Sequence, residues 1–157
     1  VCKMTNPLRI GVIGTSFVSD WICEAAKMSE NCEISAVYSR DLDHGKAYAE
    51  KQSIKCCFDD EEAFLSCEDI DAVYVASPNV AHYRQTMNAL SHGKHVLCEK
   101  PLAINASQAE RMIALAHERG VILLEAIRPV YDPFLTALRE NLHKVGRVRR
   151  ATFEFCQ

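Results

Sequence analysis

The sequence predicts an α/β fold built on a doubly wound, mostly parallel sheet, followed by the start of a second domain. Three observations carry this. Short apolar runs alternate with helix-period stripes from residue 8 to residue 125, the first run closes on a glycine, and the alternation stops after Glu125. Near-continuous apolar strands indicate a sheet covered on both faces. Right-handed crossovers then wind it in both directions.

Leu8–Ile13, closed by Gly14, reads as a buried strand. Phe17, Val18, Trp21, Ile22, Ala25 and Ala26 follow at helical spacing. Ile34–Tyr38 is a second strand, and Asp41 is placed to cap a helix with Leu42, Ala47 and Tyr48 on its inner side. Ile54–Phe58 is a third strand, after which Asp59, Asp60, Glu61 and Glu62 put acids where a helix dipole favours them. Ala72–Ala76 is the fourth strand, followed by a stripe of Val80, Tyr83, Met87 and Leu90 that ends at Gly93. His95–Cys98 is the fifth. Asn105 with Gln108 resembles a capping box, with Ala109, Met112, Ile113 and Ala116 on the inner face of its helix and Gly120 at its end. Val121–Leu124 is the sixth strand. Beyond it Pro129 and Pro133 bracket a loop, a helix is expected over about 131–144, and Gly146 introduces an alternating strand, Arg147–Phe155.

With 157 residues the chain can bury a substantial core. Apolar residues at 48%, charged residues at 25% and a net charge of −3 leave no electrostatic footprint for nucleic acid or an anionic membrane. Arg147, Arg149 and Arg150 alternate as on a solvated strand face. No stretch approaches the ~18–20 apolar residues of a membrane span, and no signal peptide is visible, so a cytoplasmic location is expected. Met4 is the candidate natural start. The eight cysteines contain no C-x-x-C, which argues against zinc or a disulfide framework. They are expected to be reduced and mostly in the core, and no metal site is expected.

The turn after the first strand reads Gly14-Thr15-Ser16-Phe17-Val18-Ser19. A dinucleotide fingerprint wants G-x-G-x-x-G/A there, and only Gly14 is kept. Ser16 stands where glycine lets backbone approach a pyrophosphate, and Ser19 where a small residue lets helix and strand pack closely. Serine is small, its hydroxyl can donate to phosphate, and the helix N-terminus still offers N–H groups to an anion. Gly14, Thr15, Ser16 and Phe17 are therefore candidate cofactor residues. The second strand ends in Ser39-Arg40, where an acid binding the ribose of NAD is usual. A guanidinium there pairs with a 2′-phosphate and favours NADP over NAD. Asp41 next door reaches a ribose hydroxyl in the NAD alternative. In the plain alternative Arg40 is a surface residue and Asp41 a cap.

Ser77-Pro78-Asn79 follows the fourth strand and Glu99-Lys100-Pro101 the fifth. Both fall at C-terminal strand ends and face one crevice, where open α/β sheets hold ligands. Gly11-Val12-Ile13-Gly14, Ser39-Arg40, Ser77-Pro78-Asn79 with His82, Glu99-Lys100-Pro101 after a His-Val-Leu-Cys strand, and Glu125 with Arg128 occur in order. Together they make residues 8–157 resemble the N-terminal half of the Gfo/Idh/MocA oxidoreductases.

The resemblance implies a two-domain enzyme of Rossmann-like fold. It would transfer a hydride between NADP or NAD and a sugar, polyol or related hydroxy compound, and be homo-oligomeric when full length. Residues 4–127 would be the dinucleotide-binding domain. Residues 128–157 would be a linking helix and first strand of a C-terminal substrate and oligomerisation domain that is otherwise absent. Lys100 would be the catalytic or substrate-orienting lysine, with Glu99 beside it, and Ser77, Pro78 and Asn79 would border the nicotinamide ribose. Hydride transfer at a C–OH carbon needs a proton donor or acceptor at the oxygen, a task that suits Lys100. Pro101 would fix the backbone around it. His82 is placed to fix the Ser77–Asn79 turn by a hydrogen bond. Glu125 and Arg128 fit cofactor contact or interdomain packing, and Cys98 fits the core. Without its second domain the chain is expected to bind cofactor and not to turn over. The alternative is a non-catalytic NAD(P) sensor on the same fold.

Overall fold

The computed structural model describes residues 6–152 and 154, and among them six parallel strands form one sheet in the order β3-β2-β1-β4-β5-β6. The strands are β1 Leu8–Ile13, β2 Cys32–Tyr38, β3 Cys56–Phe58, β4 Ala72–Val75, β5 His95–Cys98 and β6 Leu123–Glu125. Five helices connect them: α1 Phe17–Lys27, α2 Leu42–Gln52, α3 Glu61–Ser66, α4 Asn79–Ser91 and α5 Ala106–Arg119. β1 pairs with β2 on one side and β4 on the other, so the winding reverses between β1 and β4. The crevice beyond their C-terminal ends is where such a sheet takes ligands.

Successive strand residues feed opposite faces. Ile13, Ala36, Tyr38, Val73, Val75, Val96 and Cys98 join one core with Phe64, Leu90 and Met112. Val12, Val37 and Tyr74 point the other way, toward α1 and α2. Burial on both faces explains the unbroken apolar runs. The expected caps Asp41 and Asn105 form, accepting from the backbone N–H groups of His44 and Gln108, and Asp60 caps α3 in the same way through the N–H of Ala63. Only this half of the Asn105–Gln108 box forms, because the Gln108 side-chain oxygen is buried without a partner among the described residues.

Several sequence expectations are corrected. On α1 the fully inward residues are Ser19, Cys23 and Ala26, while Phe17, Trp21 and Ala25 lie outward. Small residues let the helix sit close to the sheet. On α2 Ala47 is exposed, and Gly45, Tyr48 and Ala49 face in. On α5 Ile113 is 46% exposed. Among the described residues Cys23 and Cys98 are buried in the core and the half-buried Cys57 and Cys67 pack against it, while Cys32 is half-buried and Cys56 exposed.

Backbone contacts divide the chain between Ala126 and Ile127. In the second unit a 3-10 turn Arg128–Tyr131 precedes α6, Pro133–Asn141, capped by Asp132, and a second 3-10 turn Leu142–Val145 follows it. The expected continuous helix is thus three short pieces. Pro133 starts α6 rather than continuing an earlier turn. The expected strand over Arg147–Phe155 is absent from residues 147–152 and 154, which have no ladder partner to satisfy an extended backbone. Phe153 and Phe155 lie outside the described residues.

At the other end of the sheet Asp71 clamps β1 to the start of β4. It accepts from Arg9 Nη2 at 2.7 Å, Nε at 3.0 Å and the backbone N–H at 2.9 Å. The Arg9 hydrogen bonds hold its carboxyl below the usual carboxylate range. A carboxylate with a folded pKa below the unfolded ~3.9 stabilises the fold above that pH and loses the contribution as pH falls through its folded value. Unfolding free energy measured by urea is therefore expected to fall below about pH 4, with a shallower acid slope in Asp71→Asn. An unchanged slope would rule the clamp out as a source of acid sensitivity.

Candidate cofactor and active site

A cleft of about 370 Å³ opens at the winding reversal. Gly14 forms its floor with φ +107, and a Cβ there would lie 2.6 Å from the Ala76 carbonyl oxygen. Glycine is thus required by the approach of β1 to β4 as well as by its backbone region. Ser16 has φ −87, which any residue adopts, so the missing second glycine imposes no strain. Ser16 is the N-cap of α1 but makes no side-chain cap bond. The first N–H groups of α1, at Phe17 and Val18, have no intrahelical partner, and nothing on the Ser16 side chain covers them. Ser19 is fully buried and donates its hydroxyl to the Gly14 carbonyl at 2.9 Å. It therefore braces the turn from behind, in the place where the sequence asks for a small residue between helix and strand.

Ser39, Arg40, Asp41 and His44 line the adjoining wall. Thr15 Oγ1 and His44 Nδ1 lie 3.1 Å apart, joining the glycine turn to the start of α2. Ser77 and Pro78 line the wall from β4. The Ser77 hydroxyl donates to Gln85 Oε1. The cleft thus takes in seven of the residues expected from sequence: Gly14, Thr15, Ser16, Ser39, Arg40, Ser77 and Pro78. The side chains of Phe17, Asn79, His82, Glu99 and Lys100 are not part of its lining. Phe17 is 67% exposed with its ring against Trp21. Asn79 is the exposed first residue of α4.

His82 is fully buried and joins the two motif turns. Its Nε2 lies 2.9 Å from the Ser77 carbonyl oxygen and its Nδ1 2.8 Å from that of Pro101. Three more ties fix the second turn. The Glu99 N–H donates to the Val75 carbonyl at 2.9 Å, the Tyr74 hydroxyl to Glu99 Oε1 at 2.6 Å, and the Leu102 N–H to Glu125 Oε1 at 2.7 Å. Glu125 is therefore an internal tether of this turn. The Lys100–Pro101 peptide is cis. Lys100 itself is exposed beyond the end of β5, its backbone N–H bonded to Glu99 Oε2 at 3.1 Å. The Cys98 thiol is buried, which pushes its pKa up to about 11 and leaves it unreactive as a nucleophile.

Gln85, His44, Tyr38 and Tyr74 were not found from sequence. Gln85 and His44 stand in helical stripes where nothing distinguishes them from surface residues, and Tyr38 and Tyr74 read as strand core. No group of three or more His, Cys, Asp or Glu suited to a metal occurs among the described residues. Uncovered helix N–H groups beside a glycine floor, with a guanidinium on the next wall, fit a dinucleotide phosphate.

Comparison with known proteins agrees with this geometry. The model of the oxidoreductase family with an NAD-binding Rossmann fold, GFO_IDH_MocA, matches residues 8–127. A scyllo-inositol 2-dehydrogenase (NADP(+)) of Bacillus subtilis is 40% identical over 150 residues, 96% of this chain and 46% of that protein. A dTDP-3,4-didehydro-2,6-dideoxy-alpha-D-glucose 3-reductase of Actinomadura kijaniata is 35% identical over 154 residues, again 96% of this chain and 46% of that one. The crystal structure of a 3-ketoreductase from Actinomadura kijaniata with NADP and TDP-benzene superposes with a TM-score of 0.82 at 36% identity, covering 88% of this chain and 43% of that one. The chain thus spans about half the length of the curated relatives it matches. On the family match, the shared sheet and the relatives' identity, this chain belongs to the Gfo/Idh/MocA oxidoreductase family and carries its NAD-binding Rossmann domain.

Proposed function

We propose that the chain is the cofactor-binding part of an NADP-preferring oxidoreductase acting on a sugar, polyol or related hydroxy compound. The observation that carries this is one crevice with uncovered α1 N–H groups, Arg40 on its wall, and Lys100 at the end of the neighbouring strand. The α1 N-terminus and Ser16 would hold the pyrophosphate, and Arg40 the 2′-phosphate. Ser77 and Pro78 would border the nicotinamide ribose. Bound NADP supplies the hydride acceptor, and its reduced form the donor. Lys100 would give or take the proton at the substrate oxygen, its turn held still by Tyr74, His82 and Glu125. The substrate class follows the relatives, an inositol dehydrogenase and a dideoxy-sugar 3-reductase among them. A homo-oligomeric full-length protein is part of the same reading. For location, the support is only that no helix among the described residues is long and apolar enough to cross a membrane.

Fluorescence titration of the chain with NADPH and NADH tests the cofactor half. NADPH is expected to bind more tightly, and Arg40→Ala to weaken NADPH about tenfold or more while changing NADH about twofold at most. Equal losses for both cofactors would remove Arg40 from the 2′-phosphate. For the substrate half, the full-length protein is screened against inositols, sugars and nucleotide-linked deoxysugars with NADP. Tight cofactor binding with no oxidation or reduction anywhere in that screen would overturn the proposed substrate class.

A further inference from the structure

We infer that Gln85 and Ser77 act as a pair that recognises the vicinal diol of the ribose on the nicotinamide half of the cofactor, with Gln85 supplying the donor. The inference rests on the cofactor reading above. Gln85 is 5% exposed, yet it lines the cleft beside Gly14, Ser77 and Pro78. A carboxamide has two ends. Its Oε1 accepts the Ser77 hydroxyl at 2.5 Å. Its Nε2, with two N–H groups, makes no hydrogen bond to a described residue. That nitrogen is not among the enclosed unpaired polar atoms, so it is accessible on a residue that lines the cleft.

The Ser77 hydroxyl is oriented by the same bond. Its proton is committed to Gln85, so toward the cleft it offers only lone pairs. The pair therefore presents an acceptor at Ser77 and a donor at Gln85. Neighbouring ribose hydroxyls each donate and accept, so one hydroxyl can give its proton to Ser77 while the other accepts from Gln85. A phosphate offers no proton to Ser77 and would leave half the pair unused. Ser77 is kept in place from behind, because its carbonyl is held by His82, so the hydroxyl faces a fixed direction. Gln85 projects from α4 rather than from the turn itself, which makes it separable from the turn's own architecture.

The test measures binding by the chain, without turnover. Calorimetry compares NADPH with 2′,5′-ADP, which has the adenosine half and the 2′-phosphate but no nicotinamide ribose. Gln85→Leu is expected to raise the NADPH dissociation constant about tenfold and to change that of 2′,5′-ADP about twofold at most. Gln85→Glu keeps an acceptor for Ser77 but loses the N–H groups, and it is expected to show the same selective loss. Ser77→Ala combined with Gln85→Leu is expected to cost less than the two single effects multiplied, as for two partners on one ligand group. Equal weakening of both ligands, or of neither, overturns the assignment. So does Gln85→Glu binding NADPH like the parent, a readout that survives if Gln85→Leu fails to fold. Failure of the parent chain to bind either ligand would overturn the cofactor reading itself, a result distinct from loss of selectivity in the variants.

Discussion

Lys100→Ala in the full-length protein is expected to lower turnover about 10²–10⁴-fold, the range for losing a positioned acid–base group. NADPH affinity should change little, and stability by no more than about 0.5 kcal/mol, because the side chain is exposed. The turn around Lys100 explains this separation. Its fixing bonds come from the Glu99 and Leu102 backbone, the Glu99 carboxylate and the Pro101 carbonyl. None uses the lysine ammonium. Removing the ammonium should leave the scaffold intact and delete only the chemistry. Steady-state rates with the best substrate from the screen check this, alongside urea unfolding of both proteins. Turnover within about threefold of the parent would remove Lys100 from proton transfer.

His82→Leu is expected to behave in the opposite way. It removes a fully buried imidazole whose ring nitrogens lie 2.9 Å and 2.8 Å from the Ser77 and Pro101 carbonyl oxygens. Losing the hydrogen bonding of a buried group costs about 1–3 kcal/mol, so a loss of that size is expected in urea unfolding. NADPH affinity should fall as well, because the Ser77–Asn79 turn loses its anchor. A loss below about 1 kcal/mol would mean that the turns hold without the imidazole. The two variants together separate a group that acts on the substrate from one that holds the wall.

The sheet was legible because its strands are apolar on both sides and each ends in a turn or a helix cap. Gly14, Asp41, Asn105 and Gly120 mark boundaries by local rules that need no tertiary partner. The two strand-end motifs were legible for the same reason, since the alternating pattern placed both in one crevice. Facing was harder. On α1 apolar residues occur on two sides, so periodicity could not say that Ser19, Cys23 and Ala26 point inward. Arg147–Phe155 alternates like a strand, but alternation supplies no neighbour to pair with. Apart from the His82 bond to the Ser77–Asn79 turn, the ties that hold the site were illegible because tertiary structure alone brings their partners together. Tyr74 reaches Glu99 across adjacent parallel strands, and Glu125 reaches Leu102 across another pair. Gln85 is eight residues from Ser77, and only the path of α4 back over the turn brings them together.

The Gly14 floor bears on how such a chain drifts under mutation. The three glycines of the usual fingerprint are not equal here. Position 14 is locked by a carbonyl 2.6 Å from any added carbon, whereas position 16 has an ordinary backbone and position 19 holds a serine that has found its own internal partner. A lineage can therefore lose two letters of its signature and keep the cradle. A pattern search that weighs all three glycines alike would pass over this chain, while one anchored on the first glycine and the two strand-end turns would retrieve it.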